Sequence, residues 1–181
     1  MEGTARKKPN VTRGSQTMRK IIFAAAAVVA VAATPAFAQS ATNTMPVSVA
    51  VIDSCTISAT ALDFGSPTAI GGTNIDATST LTLTCTTGAD YDVWMGFGNY
   101  AASGQRNMAG AAVSTNRVPY NVYSNSARTT AWGNTSGTDT VAGTAASGLP
   151  FTLTAYGRIP STAAAVPADV YSDTVTVTVN F

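Results

Sequence analysis

The chain is 181 residues long, contains no histidine, and carries 10 Lys and Arg against 9 Asp and Glu. Without histidine it lacks the base of Ser-His-Asp catalysis and the usual partner of cysteine in a zinc site. Residues 39–181 carry four Arg, no Lys and eight Asp, a net charge of −4, which excludes the basic surface of a nucleic-acid or anionic-membrane binder. We interpret the close pair Asp90 and Asp92 as solvated charge beside a turn. The chain is therefore predicted not to be an enzyme, with no catalytic residue, cofactor or metal.

The N-terminal region has the order of a secretory signal peptide. Residues 18–38 open with two cations, continue with an uncharged apolar run and end in Ala-Phe-Ala. The apolar run is shorter than the roughly 20 residues needed to span a bilayer. We therefore predict export, with signal cleavage between Ala38 and Gln39. The polar residues 1–17 are interpreted as an over-called gene start, with an unusually long leading region as the alternative.

A strand pattern follows the predicted cleavage site. Met45, Val47, Val49 and Val51 recur at every second residue, and Pro46 favours an edge or inserted strand over a central one.

Two cysteines come next. Cys55 and Cys85 are an even pair in an exported chain, which predicts one disulfide. Closing a loop of this size stabilises a fold by roughly 3–4 kcal/mol when loop-closure entropy dominates.

Alternation continues through the remainder of the chain. It recurs in the runs around Cys85, Val93 and Leu153, and is clearest at the C-terminus, in Val175, Val177, Val179 and Phe181. The small, polar stretch 134–148 is predicted to be a surface loop. About seven short strands with Gly-rich connections predict one all-β, immunoglobulin-like sandwich.

Strongly alternating strands at both ends leave two arrangements open. They pair within one sandwich, or the N-terminal strand leaves its own domain and fills a groove in another copy. In the second arrangement a sandwich lacking one strand exposes apolar core and unpaired backbone, and strand addition covers both.

Several short motifs occur in a fixed order: Asp63-Phe64-Gly65, Arg106-Asn107-Met108, residues 118–123, Trp132-Gly133, residues 156–160 and residues 171–181. Together they resemble the spore coat protein U family, which includes the subunits of archaic (Csu-type) chaperone–usher pili. The resemblance spans nearly all of residues 55–181. Each motif is weak alone, and their order makes the match specific.

The resemblance implies an incomplete, pilin-type sandwich over residues 54–181 that lacks one strand, preceded by a donor-strand segment at 39–53. It implies secretion through the periplasm to an extracellular fimbrium, with a periplasmic chaperone, an outer-membrane usher and other pilin subunits as partners. The donor strand is expected at about 44–52, with Met45, Val47, Val49 and Val51 as pocket-filling residues. Val175, Val177, Val179 and Phe181 are expected on the strand that borders the groove. Asp63-Phe64-Gly65 and Tyr156-Gly157-Arg158 are expected to be core and turn determinants, with the glycines at positive φ.

Alternatives stay open. The tail is short, and could instead fold back into its own groove and give a monomer. The chain could be a non-pilus spore-coat or cell-coat protein of the same fold. It could also be a secreted carbohydrate-binding sandwich that uses Trp94 and Trp132 as stacking platforms, although we interpret both as core residues.

Overall fold

The structure is a computed structural model that describes residues 39–181. The predicted extension 1–17 and signal peptide 18–38 lie outside the described residues. The chain divides into two compact units, 1–47 and 48–181. In the first unit the described residues 39–47 have no regular secondary structure and are exposed. Within residues 39–181, no helix is long and apolar enough to cross a membrane.

Residues 48–181 form an all-β sandwich, as predicted. Its strands are β1 (Cys55–Ala59), β2 (Ile75–Cys85), β3 (Asp90–Met95), β4 (Arg106–Gly110), β5 (Arg117–Tyr123), β6 (Val141–Thr144), β7 (Phe151–Ile159), β8 (Tyr171–Ser172) and β9 (Val177–Asn180). One sheet has six strands in the order β1-β2-β7-β5-β4-β8, and the other has three in the order β6-β3-β9. Each of these pairings is antiparallel.

The core lies between the two sheets because alternate residues of each strand point inward. Leu81, Leu83 and Val93 are almost fully buried, and Trp132 closes the core from a loop. The disulfide between Cys55 and Cys85 is confirmed: the two residues face each other in the β1–β2 pair, with Cα atoms 4.0 Å apart. We call the end of the sandwich that holds this bond the disulfide end.

The prediction of a continuous surface loop over residues 134–148 was wrong. Residues 141–144 form β6, which pairs with β3. The turn before β6 is ordered by Asp139, whose carboxylate accepts the Thr135 N–H at 2.7 Å. Small residues such as Ala142 and Gly143 carry little strand signal, so the pairing depends on the β3 neighbour and is hidden from local patterns.

Candidate strand-acceptor groove

An apolar cavity of about 440 Å³ opens between β1 and the C-terminal segment. One wall comes from residues 59–64 and the other from residues 171–177, over a floor of inward side chains that includes Leu81, Met95, Tyr120, Val122 and Ala155. A second cavity of about 480 Å³ shares Leu62, Phe64, Met108 and Tyr171 with the first. We refer to the two connected cavities as the groove.

The groove exists because two neighbouring strands do not pair. Among residues 39–181, β1 is bonded only to β2 and β9 only to β3, so each has a free edge within the described part of the chain. The C-terminal segment begins in the six-stranded sheet as β8 and ends in the three-stranded sheet as β9. Unpaired backbone at such an edge is a template for an added strand.

The hydrogen-bond pattern fixes which residues face the free edges. In β1, the Thr60 N–H donates to the Thr80 carbonyl at 2.9 Å, and Ser54 accepts from Thr86, so even-numbered residues bond to β2. In the β9 segment, the Thr176 carbonyl accepts from Gly96 at 2.9 Å, so even-numbered residues bond to β3. On both edges the unpaired backbone groups therefore belong to odd-numbered residues, whose side chains point inward.

The groove lies toward the end of the sandwich that is away from the disulfide. Val179 packs against the small cluster around Cys55 and Cys85. The residues that line the groove, in contrast, come from the part of β1 and the C-terminal segment farther from that end. We call this opposite end of the sandwich the open end.

The apolar residues beside the groove are incompletely covered. Ile57, Leu62, Phe64, Met108, Tyr171, Val175, Val177 and Val179 pack on the core yet remain only partly buried. Of the C-terminal residues predicted at the groove edge, Val175 and Val177 line the cavity and Val179 lies nearer the disulfide end. Phe181 lies outside the groove lining and is 60% exposed.

One carboxylate, Asp173, interrupts the apolar wall. Its Oδ2 accepts the Tyr120 hydroxyl at 2.7 Å, and its Oδ1 accepts the N–H groups of Asn99 and Thr174, each at 2.8 Å. Burial, together with the hydrogen bond to Asp173, raises the pKa of Tyr120 above its ordinary value. These bonds fix the chain where it crosses from one sheet to the other.

The β1 wall is held at both ends although β1 is an edge strand. The disulfide fastens Cys55 at one end. At the other, the buried Ser79 hydroxyl donates to the Thr60 carbonyl at 2.6 Å, and the Thr80 N–H donates to Thr60 Oγ1 at 2.9 Å. The wall is therefore pre-formed and does not depend on a neighbour on its open side.

Two glycine motifs shape the groove by different means. Gly65 has φ of 73°, and its N–H donates to Asp63 Oδ1 at 2.8 Å, as expected for a turn. The prediction of positive φ at Gly157 was wrong. A Cβ on Gly157 would lie 2.8 Å from Leu62 and 2.9 Å from Phe64, so this glycine makes room for the groove wall.

The predicted donor residues are exposed. Met45, Val47, Val49 and Val51 are 79–89% exposed, and none lies in a strand. Thr86 marks where the segment joins the sandwich, because its N–H donates to the Ser54 carbonyl at 2.8 Å and its hydroxyl to the Ile52 carbonyl at 3.2 Å. The predicted donor segment at 44–52 ends at this anchor, which holds the Ile52 carbonyl.

The tryptophans divide between core and surface. Trp132 is 1% exposed, and its Nε1 donates to the Val93 carbonyl at 2.8 Å. Trp132 is therefore confirmed as a core residue and is too buried to stack against a sugar ring. Trp94 is only half-buried, on the opposite face of β3 from Val93, so its assignment to the core was wrong.

The interpretation of Asp92 as solvated charge was also wrong. It is half-buried, and its Oδ2 accepts from Trp94 Nε1 and the Ser136 hydroxyl. Burial opposes its ionisation, but hydrogen bonds from Ser136, Thr140 and Trp94 outweigh burial and lower the pKa of Asp92. Asp90 is exposed and accepts the Thr144 hydroxyl at 2.6 Å.

Residues 41–178 match the Spore Coat Protein U domain. The chain belongs to the spore coat protein U family. It is 35% identical over 183 aligned positions to Protein U of Myxococcus xanthus, a match that covers 91% of this chain and 100% of that protein.

This spore coat protein U domain also resembles a solved structure. The match is to the CsuC–CsuE chaperone–tip adhesion subunit pre-assembly complex from the archaic chaperone-usher Csu pili of Acinetobacter baumannii, with a TM-score of 0.52 and 23% identity. It covers 72% of this chain and 40% of the matched chain. At that identity the likeness concerns the fold alone, and it agrees with a pilin-type sandwich.

Proposed function

We propose that this chain is a structural subunit of a secreted surface fimbria, whose copies join by donor-strand exchange. Residues 44–52 of one copy fill the groove of the next. The observation that carries the proposal is the pair of unpaired edges, β1 and β9, beside an apolar groove. Strand addition at such an edge supplies main-chain hydrogen bonds and places alternate side chains in pockets.

The alternation of the tail matches the groove. The inserted strand would place Met45, Val47, Val49 and Val51 on its inward face. When this strand runs antiparallel to β9 and parallel to β1, its backbone N–H and C=O groups reach the unpaired odd-numbered residues of both edges. Burying four such side chains stabilises the complex by about 6–10 kcal/mol before ordering costs. The apolar residues of the groove wall would then be fully covered.

The positions of tail and groove favour a fibre over a closed dimer. The tail leaves the sandwich beside Thr86, at the disulfide end, whereas the groove lies toward the open end. One copy therefore inserts its tail into the open end of the next. Such a head-to-tail contact uses two different surfaces, and its repetition gives an open-ended filament.

An unfilled groove also explains the proposed partners. Before assembly the exposed core requires a temporary strand from a periplasmic chaperone, and an outer-membrane usher then replaces that strand with the tail of another subunit. The similar fold of a Csu subunit crystallised with its chaperone supports this route. The proposed location is the extracellular surface, reached through the periplasm.

A second candidate is a coat protein that uses the same tail and groove without an usher. The full-length match to Protein U favours it. Genes for a chaperone and an usher beside this gene would favour the fimbria, and their absence would favour the coat.

A charge-scanning pair tests the donor role. Val49→Asp places a carboxylate on the inward face of the tail, and Ala50→Asp places the same charge on the outward face one residue away. We expect the wild type and Ala50→Asp to give ladders of high-molecular-weight species on an unboiled denaturing gel, and Val49→Asp to give monomer. An unchanged ladder from Val49→Asp would contradict the proposal.

A further inference from the structure

All methionines in residues 39–181 lie at the joint between subunits that the proposed function creates. They are Met45, Met95 and Met108. Met45 belongs to the donor segment, Met95 lines the first cavity of the groove, and Met108 lines both cavities. A thioether is polarisable, and its unbranched chain fits irregular apolar gaps. Donor and acceptor therefore each bring an oxidisable sulfur to the joint.

Exposure separates the three methionines before assembly. Met45 is 82% exposed, Met108 is partly buried against the core, and Met95 is only 4% exposed. Among residues 39–181 no cysteine is free, because Cys55 and Cys85 form the disulfide. Access to a sulfur governs how readily an oxidant reacts with it, so Met45 is the first of these sulfurs to be oxidised in an unassembled subunit.

Strand exchange reverses the exposure of Met45. Its side chain belongs to the inward face of the inserted strand, which runs parallel to β1 of the acceptor. Because β1 leads from the disulfide at Cys55 toward the groove, the inserted Met45 lies farther from the open end than Val51 does. The groove floor and the remainder of the inserted strand then cover the Met45 sulfur.

We propose that Met45 is an oxidation site that controls assembly, an inference that rests on the proposed function. Hydrogen peroxide transfers one oxygen atom to the Met45 sulfur, which is oxidised to the sulfoxide, while the peroxide is reduced to water. The sulfoxide oxygen accepts hydrogen bonds, but the side chains of floor residues such as Leu81 and Val122 donate none. Burying an unpaired polar atom is unfavourable, so the oxidised tail does not fill the groove.

The effect depends on when the oxidant arrives. Oxidation of a free subunit blocks strand exchange, whereas an assembled joint shields the same sulfur. Methionine sulfoxide reductases return the sulfoxide to the thioether, so the block is reversible. An oxidant in the surroundings therefore stops the growth of a filament and leaves its finished part intact.

The first experiment locates the modification. The exported chain is separated by size-exclusion chromatography into unassembled subunit and polymer, and both fractions are treated with hydrogen peroxide. Peptide mass spectrometry then measures the fraction of each methionine that has gained an oxygen atom. We expect Met45 to react first in the free subunit and to be protected in the polymer. Equal oxidation of Met45 in the two fractions, or an earlier reaction of Met95, would overturn the proposal.

The second experiment measures the assembly of the treated subunit on an unboiled denaturing gel. We expect oxidation of Met45 to lower the yield of high-molecular-weight species about tenfold, the scale set by one unpaired buried polar group, and a methionine sulfoxide reductase to restore it. Met45→Leu keeps an apolar side chain without sulfur and should assemble normally before and after peroxide. An equal loss of assembly in peroxide-treated Met45→Leu would overturn the assignment to Met45.

A matched pair of variants imitates the sulfoxide without an oxidant. Met45→Gln places a polar side chain of similar length on the inward face of the tail, and Thr44→Gln places the same side chain on the outward face. We expect a normal ladder from Thr44→Gln and a weakened one from Met45→Gln, with an unchanged circular dichroism spectrum in both. Full assembly of the wild type after complete oxidation of Met45 would overturn this inference alone, whereas an unchanged ladder from Val49→Asp would overturn the proposed function as well.

Discussion

The Tyr120 hydroxyl donates a 2.7 Å hydrogen bond to Asp173 Oδ2, joining strand β5 to the segment between β8 and β9. The same carboxylate accepts two backbone N–H groups, from Asn99 and Thr174. One side chain thus sets the position of the groove wall. Asp173 belongs to the alternating, partly buried residues from Tyr171 to Val179, and the others in that series are apolar.

Tyr120→Phe removes the hydroxyl and leaves Asp173 with one fewer donor. We expect the free energy of unfolding at neutral pH to fall by about 1.5–3 kcal/mol, the range for hydrogen bonds to charged groups. Urea denaturation followed by tryptophan fluorescence measures the change. Tyr100→Phe is the matched control, because Tyr100 is 39% exposed and stacks on Arg117. Equal stability of the two variants would contradict a role for the Tyr120–Asp173 bond.

The raised pKa of Tyr120 predicts a loss of stability in alkali. The ordinary value is 10.0, so above that pH the unfolded chain releases this proton while the folded chain retains it. Stability contributed by neutral Tyr120 is complete below pH 10.0 and declines as pH rises toward the folded pKa. We expect the free energy of unfolding to decrease with pH above this point, and less steeply in Tyr120→Phe. Parallel pH profiles would show that Tyr120 titrates alike in both states.

Replacing both Cys55 and Cys85 with serine should lower the free energy of unfolding by about 3–4 kcal/mol, if loop-closure entropy dominates. Edge strand β1 should open before the other strands, because without the disulfide it is held only at its other end, by the hydrogen bonds of Thr60. Hydrogen exchange of β1 amides measures local opening, and denaturant unfolding measures the total. Unchanged β1 protection in the double variant would mean that the disulfide does not hold the groove wall.

Gly157→Ala tests the close packing behind the groove. The added Cβ would meet Leu62 at 2.8 Å and Phe64 at 2.9 Å, so these side chains must move. We expect a destabilisation of about 1–3 kcal/mol, typical of overpacking. Gly148→Ala is the control, because its nearest contact is Thr87 Oγ1 at 3.6 Å. A similar, small loss of stability in both variants would show that Leu62 and Phe64 can move aside without destabilising the fold.

Arg106 is predicted to be the most sensitive arginine. Its buried guanidinium donates to the carbonyls of Gly96, Met95 and Trp132 at 2.7–2.8 Å and lies over the Phe97 ring. Burial lowers the pKa of Arg106, but arginine stays protonated. Arg106→Met removes the donor to these three carbonyls and should destabilise the fold by about 1–3 kcal/mol for each carbonyl left unsatisfied. Arg117→Met, at a half-buried position, should cost much less, and thermal unfolding of both variants gives the comparison.

The sequence predicted the structural features that produce a periodic pattern of residues along the chain. Leu81, Leu83 and Cys85 are inward-facing because the side-chain period of a strand is two, and that period is visible without coordinates. The cysteine pair was predictable because an exported chain with two cysteines has one possible intramolecular disulfide. The alternation of Val175 and Val177 likewise indicated an apolar face.

Only the C-terminal wall of the groove could be placed from the sequence, through the family resemblance, and the β1 wall could not. The existence of the groove depends on β1 and β9 lying side by side without pairing, and a missing pairing leaves no local pattern. Tyr120 and Asp173 are 53 positions apart, so their contact is a property of topology. The only available signal was one carboxylate in an apolar alternation. Gly157 was misread because glycine serves both positive φ and close approach, and the two uses are identical in sequence.

The disulfide has a mechanical consequence. Cys55 is the first residue of β1 and follows directly on the tail, and its bond leads into β2, which is hydrogen-bonded to β7 along most of its length. A pull on the tail therefore bypasses the edge strand and loads the β2–β7 ladder in shear, where many hydrogen bonds resist together. In a filament under tension, β1 would be spared from peeling away one bond at a time.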